Sequence, residues 1–263
     1  MTAAERELLL LTGKLGDPTR KPLTRAQYAA MQECESFFAA EFQLPLLKDT
    51  ALLDRYLAEA EKGHCYPITC CSPDYPRILE DRLGTDAPMC LWAMGDPSLL
   101  KTPMIAVVGS RDLTPANGEF AREVGKQAAL HGYTLVSGNA RGTDRTAQDA
   151  CLAYGGKVIS IVPDELIRRT PRENVLYLSE DGYGEKFSSH RALSRNRYIH
   201  ILGERTFVAQ CNNGFGGTWD GTVKNLKYGW SQVYCFGDGS FAVHRLTQLG
   251  AAAIPTELLE KLI

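Results

Sequence analysis

The chain of 263 residues is long enough to bury a substantial core as one large domain or two. Its apolar share of 44% and charged share of 23% are those of an ordinary globular protein. A formal net charge of -2 gives no basis for attraction of the whole molecule to DNA, so any polyanion site must come from local clustering of Arg and Lys. No apolar run approaches the length of a membrane span and no secretory leader precedes the first elements, so we expect a cytoplasmic protein without membrane association.

Residues 1–62 are predicted to form a small helical N-terminal domain. Short helices are indicated over Glu5–Leu11 and Leu52–Ala60, and Thr24 is placed to cap a longer one that runs to Phe38. One face of this longer helix carries Tyr28, Met31, Cys34, Phe37 and Phe38. Residues 63–263 are assigned to a second domain, which begins with two strand-like pieces over Tyr66–Thr69 and Met89–Met94.

A group of cysteines lies in and around these two pieces. Their spacing is not that of paired Cys-x-x-Cys ligands, and adjacent cysteines in an extended strand point to opposite faces. We therefore interpret them as buried cysteines in short strands and predict no metal and no cofactor. The residues concerned are His64, Cys65, Cys70, Cys71 and Cys90.

Strands and helices alternate from residue 104 onward. The first strand, Met104–Val108, is a continuous apolar run, as expected for a strand that is buried on both faces. This alternation predicts an α/β fold, a Rossmann-like and mostly parallel sheet with helices on both faces. The remaining elements are predicted at Asn117–Leu130, Tyr133–Val136, Thr143–Ala153, Lys157–Val162, Ala192–Leu202, Thr206–Ala209, Thr218–Tyr228 and Gln232–Phe236.

Three polar, glycine-rich loops follow predicted strands of this sheet. They are Gly109-Ser110-Arg111, the segment from Ser137 to Asp144, and the segment from Asn212 to Thr218. Ligands of parallel sheets bind beyond the carboxyl ends of the strands, where glycine lets the backbone approach an anion and helix N-termini donate N–H groups. We therefore predict a phosphate site at this edge. The absence of GxGxxG and GxxxxGK[ST] in this context argues against a dinucleotide dehydrogenase or a P-loop NTPase.

Basic side chains are concentrated in the block Ser194-Arg195-Asn196-Arg197-Tyr198. Arg191 and Arg195 share a face if this block is helical, and Phe187 lies just upstream. Cations interleaved with aromatic rings suit a polynucleotide, although a solvated helix start is the alternative. Asp144 is open to two interpretations, as a first-turn helix acid or as a catalytic carboxylate. No motif for nucleophilic catalysis is present.

The sequence resembles the DNA-processing protein A (DprA/Smf) family, within the wider Rossmann-like group that includes the LOG phosphoribohydrolases. The resemblance runs from about Asp74 to Ala252 and depends on two motifs together. One is Ser137-Gly138 with Ala140, Gly142 and Asp144, and the other is the block from Ser194 to Arg197 with Ile199.

This resemblance implies a protein that binds single-stranded DNA and assists recombination or natural transformation by loading a RecA-type recombinase. It also implies a homodimer and a positively charged pocket built from the strand-end loops and the Arg-Asn-Arg block. The residues we expect to contact DNA or phosphate are Gly109, Ser110, Arg111, Ser137, Gly138, Arg141, Asp144, Arg195, Asn196, Arg197, Gly216, Gly217 and Thr218.

The alternative function is a nucleotide sensor or a LOG-like nucleotide phosphoribohydrolase. Gly216-Gly217-Thr218 resembles the x-Gly-Thr part of the LOG pattern Gly-Gly-x-Gly-Thr-x-x-Glu. That pattern requires Glu where this chain has Gly221, and Asp220 is only adjacent. The missing carboxylate leads us to predict a binding protein with no catalytic residue.

Overall fold

A computed structural model describes residues 1–33 and 46–263. The contacts of the chain divide it into two compact units. The first comprises Met1–Met94, Asp164–Pro171 and Leu178–Lys186, and the second comprises Gly95–Pro163, Arg172–Tyr177 and Phe187–Ile263. The predicted domain boundary at residue 62 stays a prediction. Within the described residues, no helix is long and apolar enough to cross a membrane.

Helices and one antiparallel hairpin make up the first unit. The part of the predicted second helix beyond residue 33 lies outside the described residues, and the other predicted helices form. Strands β1 and β2 pair antiparallel, with Tyr66 opposite Ala93. The elements are α1 (Ala3–Thr12), α2 (Arg25–Glu33), α3 (Thr50–Lys62), β1 (Tyr66–Thr69), α4 (Ile78–Leu83) and β2 (Cys90–Met94).

Helix α1 begins where its sequence supplies a cap. The Thr2 hydroxyl accepts the Glu5 N–H, and the Glu5 carboxylate accepts the Thr2 N–H, so two unpaired N–H groups of the helix start are satisfied. The apolar run from Leu8 to Leu11 is then buried. Three aromatic rings, Tyr56, Trp92 and Tyr183, form a cluster in this unit with centroid separations of 4.3 to 5.2 Å.

The second unit carries the alternating strands and helices. Helix α6 and strands β3 and β8 have the predicted bounds, and the bounds of most others differ by one or two residues. The elements are β3 (Met104–Val108), α5 (Pro115–Leu130), β4 (Thr134–Ser137), α6 (Thr143–Ala153), β5 (Lys157–Ile161), β6 (Val175–Ser179), α7 (Ser189–Ser194), α8 (Asn196–Leu202), β7 (Arg205–Val208), α9 (Gly217–Tyr228), β8 (Gln232–Phe236), α10 (Phe241–Gln248), β9 (Ala252–Ile254) and α11 (Leu259–Leu262).

The sheet of this unit has the strand order β6-β5-β4-β3-β7-β8-β9. All pairs from β5 to β9 are parallel. The chain moves from β3 toward β4 and β5 and later from β7 toward β8 and β9. Crossover connections between parallel strands are right-handed, so connections that run in opposite directions along the sheet place their helices on opposite faces. Helices α5 and α6 therefore lie on one face of the sheet and α9 on the other. The α/β, Rossmann-like prediction is confirmed, and a crevice is expected beside β3, where the direction reverses.

The structure differs from the prediction in several places. Helix α10 and strand β9 follow the last predicted element, and Cys71, predicted to be buried in a strand, is exposed beyond the end of β1. Strand β6 lies in a stretch that the sequence analysis leaves irregular, although its residues are all buried. The predicted helix Ala192–Leu202 is divided into α7 and α8 at Arg195, where the Tyr198 N–H donates to the Arg195 carbonyl three residues back. The helix tightens there while the Arg195 side chain turns into the protein interior.

Candidate nucleic-acid site

A cleft of about 290 Å³ lies at the carboxyl end of β3 in the second unit. Seven of the thirteen predicted site residues line it, and they come from four separate stretches of sequence. These are Gly109, Arg111, Asp144, Arg195, Asn196, Gly217 and Thr218. The structure therefore brings together the first loop, the start of α6, the α7–α8 junction and the start of α9.

Two glycines let the loop after β3 lie directly against the start of α6. A Cβ at Gly109 would be 2.2 Å from the Thr143 hydroxyl, and a Cβ at Gly142 would be 2.4 Å from the Arg111 carbonyl oxygen. Gly142 also has a φ of 84°, which favours glycine. The Thr143 N–H donates to the Ser110 carbonyl at 3.1 Å. Close packing of the loop on the helix is thus one reason for glycine at positions 109 and 142. The Thr143 N–H already has a partner within the protein.

Arg195 extends beneath the loop that follows β4. Its guanidinium donates through Nη2 to the Gly138 carbonyl at 3.1 Å, and only 7% of the residue is exposed. A Cβ at position 138 would lie 1.7 Å from Nη1, so glycine is required for the guanidinium to occupy this place. Gly138 and Arg195 therefore form a single arrangement, although 57 residues separate them.

Asp144 is the buried acid of the site, with 6% of its surface exposed. Its Oδ2 accepts the Ala140 N–H at 3.1 Å, and the Gly138 N–H also donates to this carboxyl. Burial raises the pKa of Asp144, while the positive charges of Arg195 and Arg111 and the two N–H donors oppose that rise. Asp144 thus holds the β4 loop and faces Arg195, a structural role that favours the helix-acid interpretation over the catalytic one.

The start of α9 forms the opposite part of the cleft. Gly216 precedes the helix with a φ of 91°, and Gly217 and Thr218 open it. The Asn196 amide donates through Nδ2 to the Gly217 carbonyl at 3.2 Å. The Arg-Asn-Arg block is thereby fixed to α9 through its central residue.

The position of the missing LOG-type glutamate is buried between helices. A Cβ at Gly221 would be 3.0 Å from His200 Nε2 and 3.6 Å from the Asn196 Cβ. Neighbouring Asp220 is exposed and is not among the residues that line the cleft. The helix contact therefore has no room for a carboxylate side chain at residue 221.

Six predicted residues are not among those that line the cleft, and Gly138, described above, is one of them. The Ser137 hydroxyl is fully buried and accepts from Gln148 Nε2. The exposed Arg141 pairs with Asp112 at 2.6 Å. Arg197 donates to the Tyr198 hydroxyl at 2.7 Å and lies over the same ring. Gly216 and Ser110 flank lining residues without lining the cleft themselves. The contacts of all thirteen residues with a ligand stay a prediction.

Other residues of the cleft are not in the predicted set. Phe187 and Leu193 contribute apolar side chains that are 54% and 50% exposed, and His200 lies beneath them. Burial lowers the pKa of His200 to about 3, so its ring is neutral near pH 7. The Asn225 amide donates to His200 Nδ1 at 3.2 Å, which places the proton on Nε2. Phe187 beside a basic block is a usable sequence signal, whereas His200 sits within an apolar helix pattern and gives none.

A model of the family described as DNA recombination-mediator protein A matches residues 67–228. The chain belongs to the DNA recombination-mediator protein A family. The resemblance to the DprA/Smf family drawn from the sequence is confirmed, and the matched residues include every predicted site residue.

Direct sequence comparison also finds this chain to be similar to members of the family. DNA processing protein DprA from Streptococcus pneumoniae is 35% identical over 48% of this chain and 48% of its own length. DNA processing protein DprA from Bacillus subtilis is 28% identical over 74% of this chain and 66% of its own. The chain thus spans about half the length of the first relative and just under two thirds of the second.

Two solved structures of the family share the fold. DNA processing protein A from Streptococcus pneumoniae superposes with a TM-score of 0.70 at 26% identity, covering 96% of this chain and 91% of that one. The protein from Helicobacter pylori, described for its single-stranded DNA binding mode, has a TM-score of 0.63 at 25% identity. It covers 76% of this chain and 97% of its own.

Proposed function

We propose that this cleft binds single-stranded DNA and that the protein is a non-enzymatic DNA-processing protein. The observation that carries the proposal is the meeting of an exposed cation, a helix start and exposed apolar side chains in one cleft. Arg111 and the first turn of α9 at Thr218 suit a phosphate, and Phe187 and Leu193 offer surface for a base. The Helicobacter pylori relative supports the choice of ligand.

The two arginines of the cleft have different proposed roles. Arg195 is buried against Gly138 and Asp144, so it contributes positive charge from below and fixes the loop. Arg111 is exposed, and its guanidinium is therefore the group we assign to direct phosphate contact. Contacts to phosphate and stacking on a base do not distinguish one base from another, so we expect little sequence preference.

The test is an anisotropy titration of single- and double-stranded oligonucleotides with the wild type and Arg111→Ala. Arg122→Ala is the matched control, since Arg122 is exposed on α5 and pairs with Glu119 one turn away. We expect Arg111→Ala to weaken single-strand binding and to reduce the slope of log affinity against log salt by about 0.7. Equal affinities and slopes for the two variants would remove Arg111 from the site.

We assign no hydrolase activity to the cleft. The LOG-type carboxylate has no counterpart at Gly221, whose surroundings are filled by His200 and Asn196. Incubation with nucleoside monophosphates followed by chromatography tests this assignment. Release of free base by the wild type, but not by Arg111→Ala, would establish the phosphoribohydrolase function in its place.

The remaining expectations follow from the family. We infer a homodimer in the cytoplasm that assists a RecA-type recombinase in recombination and natural transformation. Light scattering coupled to gel filtration checks the dimer. A strand-exchange assay checks the role in recombinase loading. A loading protein shortens the lag before exchange when the recombinase and the single-strand-binding protein are both present.

A further inference from the structure

An exposed aromatic pair lies at the far end of α9, the helix whose first turn lines the cleft. Tyr228 is 57% exposed and stacks on Trp230 with a centroid separation of 5.4 Å and an interplanar angle of 19°. The Lys227 ammonium lies 5.2 Å from the centroid of the Tyr228 ring. We call this pair the Tyr228–Trp230 platform. The tyrosine ring of the platform is largely in water, whereas Trp230 is half-buried.

The exposed side of α9 connects the cleft to the platform. Asp220, Lys224 and Lys227 are all exposed and lie on one face of the helix at spacings of four and three residues. Within the described ranges, neither lysine forms an ion pair, so both charges are available to a ligand. The 12 residues of α9 span about 18 Å, which is the rise of about five stacked nucleotides.

We propose that single-stranded DNA leaving the cleft follows the exposed face of α9 and stacks a base on the Tyr228–Trp230 platform. The inference rests on the proposed function of the cleft. Any of the four bases can stack on an aromatic ring, because every base has a π-face, so stacking on this pair does not depend on the DNA sequence. The flexible stem of Lys227 lets its ammonium move from the ring to the adjoining phosphate, and Lys224 serves the preceding part of the strand.

Charge favours a polyanion over an apolar peptide as the occupant. The face carries two lysines against the single carboxylate of Asp220. Tyr154 provides a contrast at the end of α6. It is 54% exposed with Lys126 over its ring, but that lysine is paired with Glu123 at 3.0 Å, and within the described residues no aromatic ring stacks on Tyr154.

The experiment compares oligothymidylates of about four and about twelve nucleotides, since only the longer one spans the roughly 18 Å from cleft to platform. The variants are Tyr228→Ala with Trp230→Ala, and separately Lys224→Glu with Lys227→Glu. Both lysines and Tyr228 are exposed, and Trp230 is half-buried. Tyr154→Ala is the matched control. We expect both double variants to lose about tenfold in affinity for the longer strand, the effect of one lost stacked base, and to bind the shorter strand as the wild type does.

Each outcome separates this inference from the proposed function. If the wild type binds neither strand, the proposed function of the cleft fails. If the wild type binds both strands and the lysine variant keeps the full affinity for the longer one, only the path along α9 is refuted. A loss in Tyr154→Ala equal to that in the platform variant would also refute it, because the effect would then be common to any exposed tyrosine.

Discussion

The contact between Gly138 and Arg195 leads to our most specific prediction. In Gly138→Ala the new Cβ would lie 1.7 Å from Nη1 and 2.2 Å from Cζ of Arg195, whereas ordinary van der Waals contact begins near 3.4 Å. The guanidinium must therefore move by more than 1 Å, which breaks its hydrogen bond to the Gly138 carbonyl. A buried hydrogen bond from a charged donor contributes about 1.5–3 kcal/mol, so we expect a loss of about 2 kcal/mol in the free energy of unfolding.

The assay is urea unfolding followed by tryptophan fluorescence, together with a titration of single-stranded DNA. Gly184→Ala is the matched control, because an added Cβ there has nothing within 4 Å and the residue has no positive φ. We expect the control to keep the wild-type midpoint and Gly138→Ala to lose both stability and affinity.

A double-mutant cycle tests the cause of this loss. If the clash with Arg195 is responsible, Gly138→Ala costs much less in an Arg195→Ala background than in the wild type. Fully additive losses would refute the contact as the reason for glycine at position 138, and so would a wild-type midpoint for Gly138→Ala alone.

Three further predictions concern the buried network beside the cleft. Because the pKa of His200 is about 3 in the folded protein and near 6.5 in the unfolded chain, the unfolded state binds the proton more tightly between these values. Stability should then fall by up to about 1.4 kcal/mol per pH unit as the pH drops from about 6.5 toward 3. His200→Asn should give a flatter profile in the same denaturant titrations, and parallel profiles would contradict the assignment. Asn225→Ala removes the hydrogen-bond partner of the Ser231 N–H and of the His200 ring, so we expect the free energy of unfolding to fall by about 2–4 kcal/mol. The control Lys224→Ala, at an exposed position, should lower it by no more than about 0.5 kcal/mol. Gly221→Glu restores the LOG-type residue but forces a side chain to within 3.0 Å of His200, so it should lower the unfolding midpoint without creating hydrolysis of nucleoside monophosphates. A stable and hydrolytically active variant would show that the helix contact can accommodate the carboxylate.

The sequence by itself determined the alternation of strands and helices, and it predicted the edge of the sheet where the candidate cleft lies. Met104–Val108 was predictable because an unbroken apolar run records burial on both faces of a strand, whereas in Gln232–Phe236 the buried Val233 and Cys235 alternate with more exposed residues. The loop after β3 was recognisable for a similar reason, since the carboxyl end of a central strand is where an α/β sheet binds ligands.

Only the tertiary structure decided which side chains face the cleft. The direction of a loop side chain depends on partners that are distant in sequence, and no local pattern encodes them. Ser137 is turned inward by Gln148, Arg141 is drawn to Asp112 and Arg195 fills the space left by Gly138. Each of these partners lies 11 to 57 residues away. Residue type and spacing therefore predicted the region of the site, and packing assigned the roles within it.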